Sequence, residues 1–367
     1  MVETATFHTL SFLCQRYPLV LISGPFGCNA ETLARRLMPS KSFIDLENDQ
    51  IFRLAKESPR TFLMAFPDGL IIKAIDRLPS MMDAIRYMIG KWGYTSGKYI
   101  AISNNMQVSD GSDERTARIE VAGLSVDDLE RLKLPYNNPF QIIYGGQLQL
   151  VADGSFSIDS IISHLLENII IRHINGSNLG LFLKFMNVCA SESSASFSLN
   201  SIAKQTGISA PTAKVWFSIL EQNLVIRILT SSDSGKREFF FSDTGILCRL
   251  LGIGSKEDLI LSPHRQRIVR TFVVNELLRG RFSKNLERNL LLCNSNDFDA
   301  AWKDNYSIVV EPNIEITEAR MEKAKSTPND SKPLILYLGD VTYSRDGIDC
   351  IGYRDWIKLA MEIDYFS

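Results

Sequence analysis

Residues 18–37, PLVLISGPFGCNAETLARRL, constrain this chain more than any other stretch. An apolar run, Leu19 to Ile22, feeds a short loop carrying Gly24 and Gly27, and helical periodicity begins at Glu31. A buried strand that turns on glycines and re-enters as a helix brings the unpaired N–H groups of the helix start to the strand end. That is the layout of a phosphate-cradling loop. Its full pattern, G-x-x-x-x-G-K-[ST], adds a lysine for the phosphates and a hydroxyl for magnesium. Counted from Gly24, Asn29 stands for the second glycine, Ala30 for the lysine and Glu31 for the hydroxyl. The expectation is a degenerate loop at Gly24, Gly27, Asn29, Ala30, Glu31 and Thr32, with Thr32 able to serve only by a one-residue slip of the turn.

The segment around it alternates short apolar runs with helical periodicity, as an α/β unit should. Strands are expected at 19–23, 42–46, 69–75, 99–103 and 118–124. Their nearly continuous apolar character suits a parallel sheet buried on both faces. Phosphoryl transfer also needs an acidic pair on a neighbouring strand, one carboxylate for magnesium and one to orient water. The strand GLIIKAIDRLP offers Lys73-Ala74 instead, with Asp76 past its end, while Ser103 or Asn104 is the candidate for a residue sensing the terminal phosphate. Two like charges about 4 Å apart cost on the order of 4 kcal/mol at an effective dielectric near 20, so a carboxylate at Glu31 opposes phosphate.

Composition sets outer bounds. At 367 residues, two or three domains are expected, and 45% hydrophobic with 22% charged residues is that of a soluble globular chain. A formal net charge of -2 gives no global attraction to nucleic acid or anionic membrane, so such binding needs a local patch. Six scattered cysteines without a CxxC pair, and four histidines, offer no zinc spacing and fit reduced thiols in the cytoplasm. The N-terminus reads as neither a signal peptide nor a membrane span. His164 and His173 lie on a helix without a partner motif, Trp216, Trp302 and Trp356 sit in apolar patterns as packing residues, and MEKAKS reads as a solvated face.

Further along, Ser125 is the expected N-cap of a helix opened by SVDDLERL. Turn chemistry at Asn137 to Pro139 and Gly145-Gly146 precedes a long apolar helix, IDSIISHLLENIIIRHI, as a helical lid. Residues 199–229 read as helix, turn at Gly207, and a helix capped by Ser209 with Pro211 in its first turn; LVIRIL and REFFFSD then form a two-stranded wing. The second helix directs Thr212, Lys214, Ser218 and Gln222 outward. Over residues 199–242 five basic residues (Lys204, Lys214, Arg227, Lys236, Arg237) face three acidic ones (Glu221, Asp233, Glu238), a net +2 that permits weak DNA contact at most. The last third returns to α/β, with strands NLLLCN, YSIVVEP and KPLILYLGD and a closing helix YRDWIKLAME.

Taken in order, LISGPFGCNAETLARRL, FIDLENDQIFRLAKESPRTFL, PDGLIIKAIDRLPSM, YIAISNN, ARIEVAGLSVDDLERL, YGGQL, GISAPTAKVWFSILEQNLVIRIL and GKREFFFSDTGILCRLLGI resemble the prokaryotic AAA-type ATPases that carry a C-terminal domain of unknown function. The likeness covers nearly the whole chain and is most specific in the winged-helix segment and FSDTGILCRLLGI. It implies an α/β fold with an AAA-like P-loop domain over residues 1–134, a helical lid over 135–178, a winged helix over 179–260, and a terminal α/β domain over 261–367 related to PD-(D/E)xK nucleases. Gly24, Pro25, Thr32 and Arg118 match the family, whereas Asn29, Ala30, Glu31, Lys73 and Ala74 depart from it. In the terminal domain the resemblance assigns Asp299 and Glu311 as vestigial metal ligands, with Asn313 where a lysine belongs and Arg270 where a helix glutamate belongs.

The function expected is that of an AAA-type protein without ATP hydrolysis or nuclease chemistry, serving as a binding or scaffold protein. The alternatives are an atypical ATP-binding protein using Thr32 and Asp76, and a DNA-binding regulator acting through Thr212, Lys214, Ser218, Lys236 and Arg237. No cofactor is expected, with ATP and magnesium the candidates if the loop retains binding. The partners expected are a protein or a second copy of the chain, with DNA as the alternative and no membrane.

Overall fold

The computed structural model describes residues 4–105, 114–133, 138–147, 159–160, 162–163, 165–167, 174, 178–230, 237–285, 290–291, 300–302, 306–327, 332–356 and 358–359. Most of the expected lid helix, and His164 and His173 with it, lie outside them. The chain divides into two compact units: Met1–Gly123 with Gln222–Leu224 and Phe282–Leu286, and Leu124–Glu221 with Val225–Arg281 and Glu287–Ser367.

The first unit is α/β. Strands β1 (Leu19–Ser23), β2 (Ser42–Asp45), β3 (Leu70–Lys73), β4 (Tyr99–Ser103) and β5 (Thr116–Glu120) form one parallel sheet in the order β2-β3-β4-β1-β5. Helices α1 (Ala5–Arg16), α2 (Ala30–Leu37), α3 (Asp49–Glu57), α4 (Pro59–Met64) and α5 (Ser80–Trp92) belong to it. Because β1 lies between β4 and β5, the chain leaves its C-terminal end in one direction toward β2 and returns on the other side as β5. Ligand crevices of open α/β sheets form at such a reversal. The Gly24 loop stands at this switch point. Ile71, Ile72, Ile100 and Val20 are fully buried, as strands covered on both faces require. The fifth strand is shifted from the expected 118–124 to Thr116–Glu120, because it pairs only with β1 and its register follows Leu19↔Thr116.

In the second unit, Ser125 caps α6 (Val126–Arg131) in a reciprocal capping box with Asp128, and α7 (Pro139–Gly145) follows. Helices α8 (Leu179–Glu192), α9 (Leu199–Thr206) and α10 (Ala210–Gln222) lead into an antiparallel hairpin of β6 (Ile226–Thr230) and β7 (Arg237–Phe241). The turn between α9 and α10 uses Gly207 at φ 86°, as the sequence requires. Ser196 bridges Glu238, adding a third short segment to the hairpin. After α11 (Thr244–Leu250), α12 (Lys256–Leu261) and the long α13 (Arg265–Ser283), a six-stranded mixed sheet runs β12-β13-β11-β10-β9-β8. Its centre is β10 (Tyr306–Glu311), β11 (Lys332–Tyr337) and β13 (Ile348–Gly352), mutually parallel, with α14 (Glu318–Lys325) packed on β10 and β11. Strands β8 (Leu290–Leu291), β9 (Ala300–Trp302) and β12 (Tyr343–Arg345) add antiparallel edges. The MEKAKS segment is not solvated all round, since Met321 and Ala324 are buried in the cluster with Val309 and Ile335. Trp216 and Trp356 pack inside as expected, Trp356 edge-on to Phe272 at 5.9 Å.

Two motifs that carried the family likeness meet here. Gly146, at φ 68°, lies so close to Asp243 that a Cβ would stand 2.3 Å from its Oδ1, and a Cβ on Gly245 would stand 2.8 Å from the Gly145 carbonyl. Asp243 caps α11 through Ile246 N–H and also accepts the Gln147 N–H. Gly146→Ala should therefore cost roughly 2–4 kcal/mol in a urea titration, from strain and lost contact together. Burial pushes the Asp128 carboxyl up to about 6 against its ordinary 3.8, with Ser125 hydrogen bonds opposing. The native state thus holds a proton that the unfolded chain releases between those values, so stability falls as pH rises from about 4 through about 6, by up to ~3 kcal/mol. Asp128→Asn should flatten that slope in stability measured across pH 4 to 7.

Candidate functional site

The loop after β1 is anchored at Gly24 by β4 and the residue that follows it. Gly24 N–H donates to the Ser103 carbonyl at 3.1 Å, and its own carbonyl accepts Asn104 Nδ2 at 2.9 Å. A Cβ at Gly24 would stand 2.2 Å from the Val121 carbonyl, so only glycine fits. Gly27 has φ 82° and Asn29 φ 71°, ψ 9°, both left-handed, and α2 begins at Ala30. Asn29 thus occupies the backbone position of the second glycine, which asparagine tolerates better than most residues. Ala30 and Glu31 fall at the lysine and hydroxyl stations, and the register leaves Thr32 exposed one residue further on.

Lys73 ends β3, where the acidic pair would stand, and its ammonium is enclosed by carboxylates. Nζ lies 3.0 Å from Asp45 Oδ2, 3.1 Å from Glu47 Oε2 and 3.7 Å from Glu31 Oε2. Parallel pairing of β2 and β3 sets Asp45 directly beside Lys73, which explains the convergence. Glu31 also pairs with Arg35 Nε at 3.0 Å, one helical turn on. Burial pulls the Lys73 ammonium down, but Asp45 and Glu47 outweigh it and hold its pKa above the ordinary lysine value. Three carboxylates against two cations leave one net negative charge at the mouth of the loop. Glu31 in the first turn of α2 supplies, within the chain, the anion that a helix N-terminus favours.

Asp76 does not join this cage. Ala74 adopts a left-handed conformation, φ 56°, and a 3₁₀ turn over Ile75–Arg77 carries Asp76 to β4, where its Oδ1 accepts Ser103 Oγ at 3.1 Å and Asn104 N–H at 3.3 Å. Ser103 and Asn104, the expected sensor positions, bridge Asp76 to the Gly24 loop. Arg118 is exposed on β5. Sequence reasoning missed Asp45 and Glu47. The signal was present in the strand pair: a lysine at the end of β3 demands a counter-charge at the aligned end of β2.

The other candidate residues are separately placed. On α10, Lys214 is exposed, Thr212 and Ser218 are half-buried, and Thr212 N–H is capped by Ser209 Oγ at 3.2 Å. Exposed Pro211 and Val215, the latter 57% accessible, share that helix's outward surface, so it is less polar than the sequence suggested. Arg237 is exposed at the start of β7 and Lys236 lies outside the described residues. Arg227, counted among the basic residues of this segment, is buried at 4% exposure and removed from any surface charge. At the end of β10, Glu311 is buried, and its carboxylate accepts Asn313 Nδ2 at 2.5 Å, Thr317 N–H at 3.0 Å and Thr317 Oγ1 at 2.7 Å. Asp299 lies outside the described residues. Arg270 on α13 binds Glu238 Oε2 at 2.5 Å and the Ser194 carbonyl at 2.9 Å. Among the described residues no group of three or more His, Cys, Asp or Glu side chains is arranged to hold a metal ion, and no helix is long and apolar enough to cross a membrane.

A family model, a domain of unknown function (DUF8612), matches residues 148–257. No curated protein matches the chain. Among solved structures, the chain is similar to the Walker-type ATPase PABY2304 of Pyrococcus abyssi, at 11% identity and a TM-score of 0.40, over 68% of this chain and 96% of that one. It is also similar to a STAND (signal transduction ATPase with numerous domains) protein with a tetratricopeptide repeat sensor, PH0952 from Pyrococcus horikoshii, at 11% identity and a TM-score of 0.25, over 78% of this chain and 48% of that one. PCH-2 of C. elegans follows at 12% identity and 0.23, over 59% and 66%.

Lys73→Met would remove the ammonium on which Asp45, Glu47 and Glu31 converge. We expect it to lower stability by about 2 kcal/mol in urea denaturation, with the loss reduced in high salt. A double-mutant cycle with Asp45→Asn should return a favourable coupling.

Proposed function

We propose that this protein is a P-loop-fold protein that does not hydrolyse ATP and acts as a binding or scaffold protein. The observation that carries this reading is the Lys73 ammonium clasped by Asp45, Glu47 and Glu31 at the mouth of the Gly24 loop. A working site directs a lysine and a metal ion at phosphate. Here the cation is consumed internally and a carboxylate faces the incoming anion. In the same reading residues 135–178 form a lid, 179–260 a winged helix and 261–367 a nuclease-like domain without its chemistry. Both oxygens of Glu311 are engaged by Asn313 and Thr317, and Arg270 is spent on Glu238 and Ser194. Five described cysteines are free and buried, in keeping with a reducing cytoplasm.

The outward side of α10 favours a protein partner, since Val215 gives it an exposed apolar centre beside Lys214. DNA contact through Lys204, Lys214 and Arg237 is the second reading. Val215→Asp should abolish capture of a protein partner, whereas Lys214→Ala should weaken DNA and flatten its salt dependence.

Calorimetric titration of ATP, with and without magnesium, alongside phosphate release, tests the main reading. We expect neither heat of binding nor turnover, and magnesium-dependent turnover would overturn it. The combined substitutions Ala30→Lys, Glu31→Thr and Lys73→Asp should restore magnesium-dependent ATP binding if these three stations are what the site lacks.

A further inference from the structure

The opposite end of the same five-stranded sheet carries a row of cations. Lys41, Lys98 and Arg115 immediately precede β2, β4 and β5, and Arg16 closes α1 just before β1. Adjacency across the row is explicit. Lys41 Nζ donates to the Asp68 carbonyl at 2.6 Å, and a Cβ at Gly69 would stand 1.8 Å from the Lys98 carbonyl. Gly97 N–H donates to the Tyr17 carbonyl at 2.8 Å, and Arg115 Nη1 comes within 3.4 Å of a Cβ built at Gly90 on α5. With strands about 4.8 Å apart, the row from β2 to β5 extends about 19 Å.

Two exposed aromatic rings adjoin it. Tyr94, 58% exposed, donates its hydroxyl to the Arg16 carbonyl at 2.5 Å, and the Arg16 guanidinium lies 4.1 Å above the ring of Phe12, itself 49% exposed. Lys91 is exposed one residue before the last of α5. Among the described residues of this edge Asp68 and Glu114 are the acids, against Arg16, Lys41, Lys91, Lys98 and Arg115. Helix dipoles account for Arg16 and Lys91, which sit in last turns. Lys41, Lys98 and Arg115 stand instead at strand starts, half-buried, beside the two exposed rings. Burial pulls the Lys41 ammonium below its ordinary value, with Asp68 opposing and Lys98 adding a smaller pull in the same direction.

We propose that this edge binds single-stranded nucleic acid, the cation row following the backbone and Tyr94 and Phe12 stacking bases. Phosphate needs the row of positive charge, and stacking on exposed rings needs bases that are not paired in a duplex. The site is independent of the Gly24 loop, at the other end of the strands, and of α10 in the second unit.

The test is fluorescence anisotropy of the full chain with a labelled oligothymidylate of about 20 nucleotides, against a duplex of equal length, from about 50 to 200 mM salt. We expect the single strand to bind at least tenfold more tightly than the duplex, with a log–log salt slope of roughly -0.7 per phosphate contacted. Lys41→Ser with Lys98→Ser should weaken binding at least tenfold and reduce the slope by roughly 1.4. Tyr94→Ala should weaken it roughly tenfold without changing the slope, and Tyr94→Phe should retain affinity. Lys256→Ala, exposed on α12 in the second unit, should change nothing. Circular dichroism of each variant separates lost binding from lost folding, and Lys41→Arg with Lys98→Arg should bind like the parent. Absence of binding at the lowest salt, equal affinity for duplex, loss only with Lys214→Ala, or association with anionic vesicles in place of oligonucleotide would each overturn the proposal.

Discussion

The second unit depends on one buried carboxylate. Glu276 on α13 has no exposed surface, and it accepts the Val126 N–H at 2.9 Å, Gln147 Nε2 at 2.5 Å and Arg279 Nη1 at 3.0 Å. Those three donors come from the start of α6, from the residue after the paired glycines, and from the next turn of α13. Arg279 in turn reaches the Ser242 carbonyl, beside Asp243, which caps α11 and holds Gln147 N–H. A charge taken out of water costs several kcal/mol unless its partners are complete, so each segment must arrive in register for the others to be tolerated. The glycines at 146 and 245 follow from this, because a Cβ at either would press on Asp243 or on the Gly145 carbonyl and separate the segments that carry the donors.

The same constraint shapes the mouth of the Gly24 loop. A lysine at the end of β3 without counter-charges would be a desolvated cation, and Asp45 with Glu47 without the lysine would be two repelling anions. Neither half is tolerable alone, so Lys73, Asp45, Glu47 and Glu31 form one electrostatic unit. It stabilises the strand ends by the means that a catalytic site would need for substrate. Gly24 is set by packing between β1, β4 and the segment after β5, and Gly27 and Asn29 beside it are left-handed.

Legibility in the sequence tracked how local the determining interaction was. The strand–loop–helix of β1 and α2, the Ser125 cap and the Gly207 turn each depend on residues within a few positions, and each stands where the residues place it. The shift of β5 to Thr116 is set by register against β1, nearly a hundred residues away in sequence. Asp45 and Glu47 acquire a role only once β2 lies beside β3. Val215 was hidden for a related reason: helical periodicity told which residues of α10 face the core, but not that an apolar one would be left outside it. Arg270 read as a substitution at a catalytic station, and its destination, Glu238 on β7, is visible only after the hairpin has formed.

Arg270 and Glu311 extend the argument to function. A carboxylate that is to bind a metal must keep an oxygen open, and an arginine that is to meet a phosphate must keep donors open. Glu311 receives three hydrogen bonds from Asn313 and Thr317, so the loop after β10 is pinned by the group that would otherwise face solvent. Arg270 is locked between Ser194 and Glu238 with its guanidinium 5.3 Å from the Phe240 ring. At Glu311 and Arg270, as at Lys73, charged side chains are satisfied by neighbours. Preorganisation for catalysis stores unpaired charge, whereas each of these groups is paired, and the pairing holds the backbones around it in place. The surface at the strand starts, remote from the Gly24 loop, differs: there the rings of Tyr94 and Phe12 stay exposed beside the half-buried Lys41, Lys98 and Arg115.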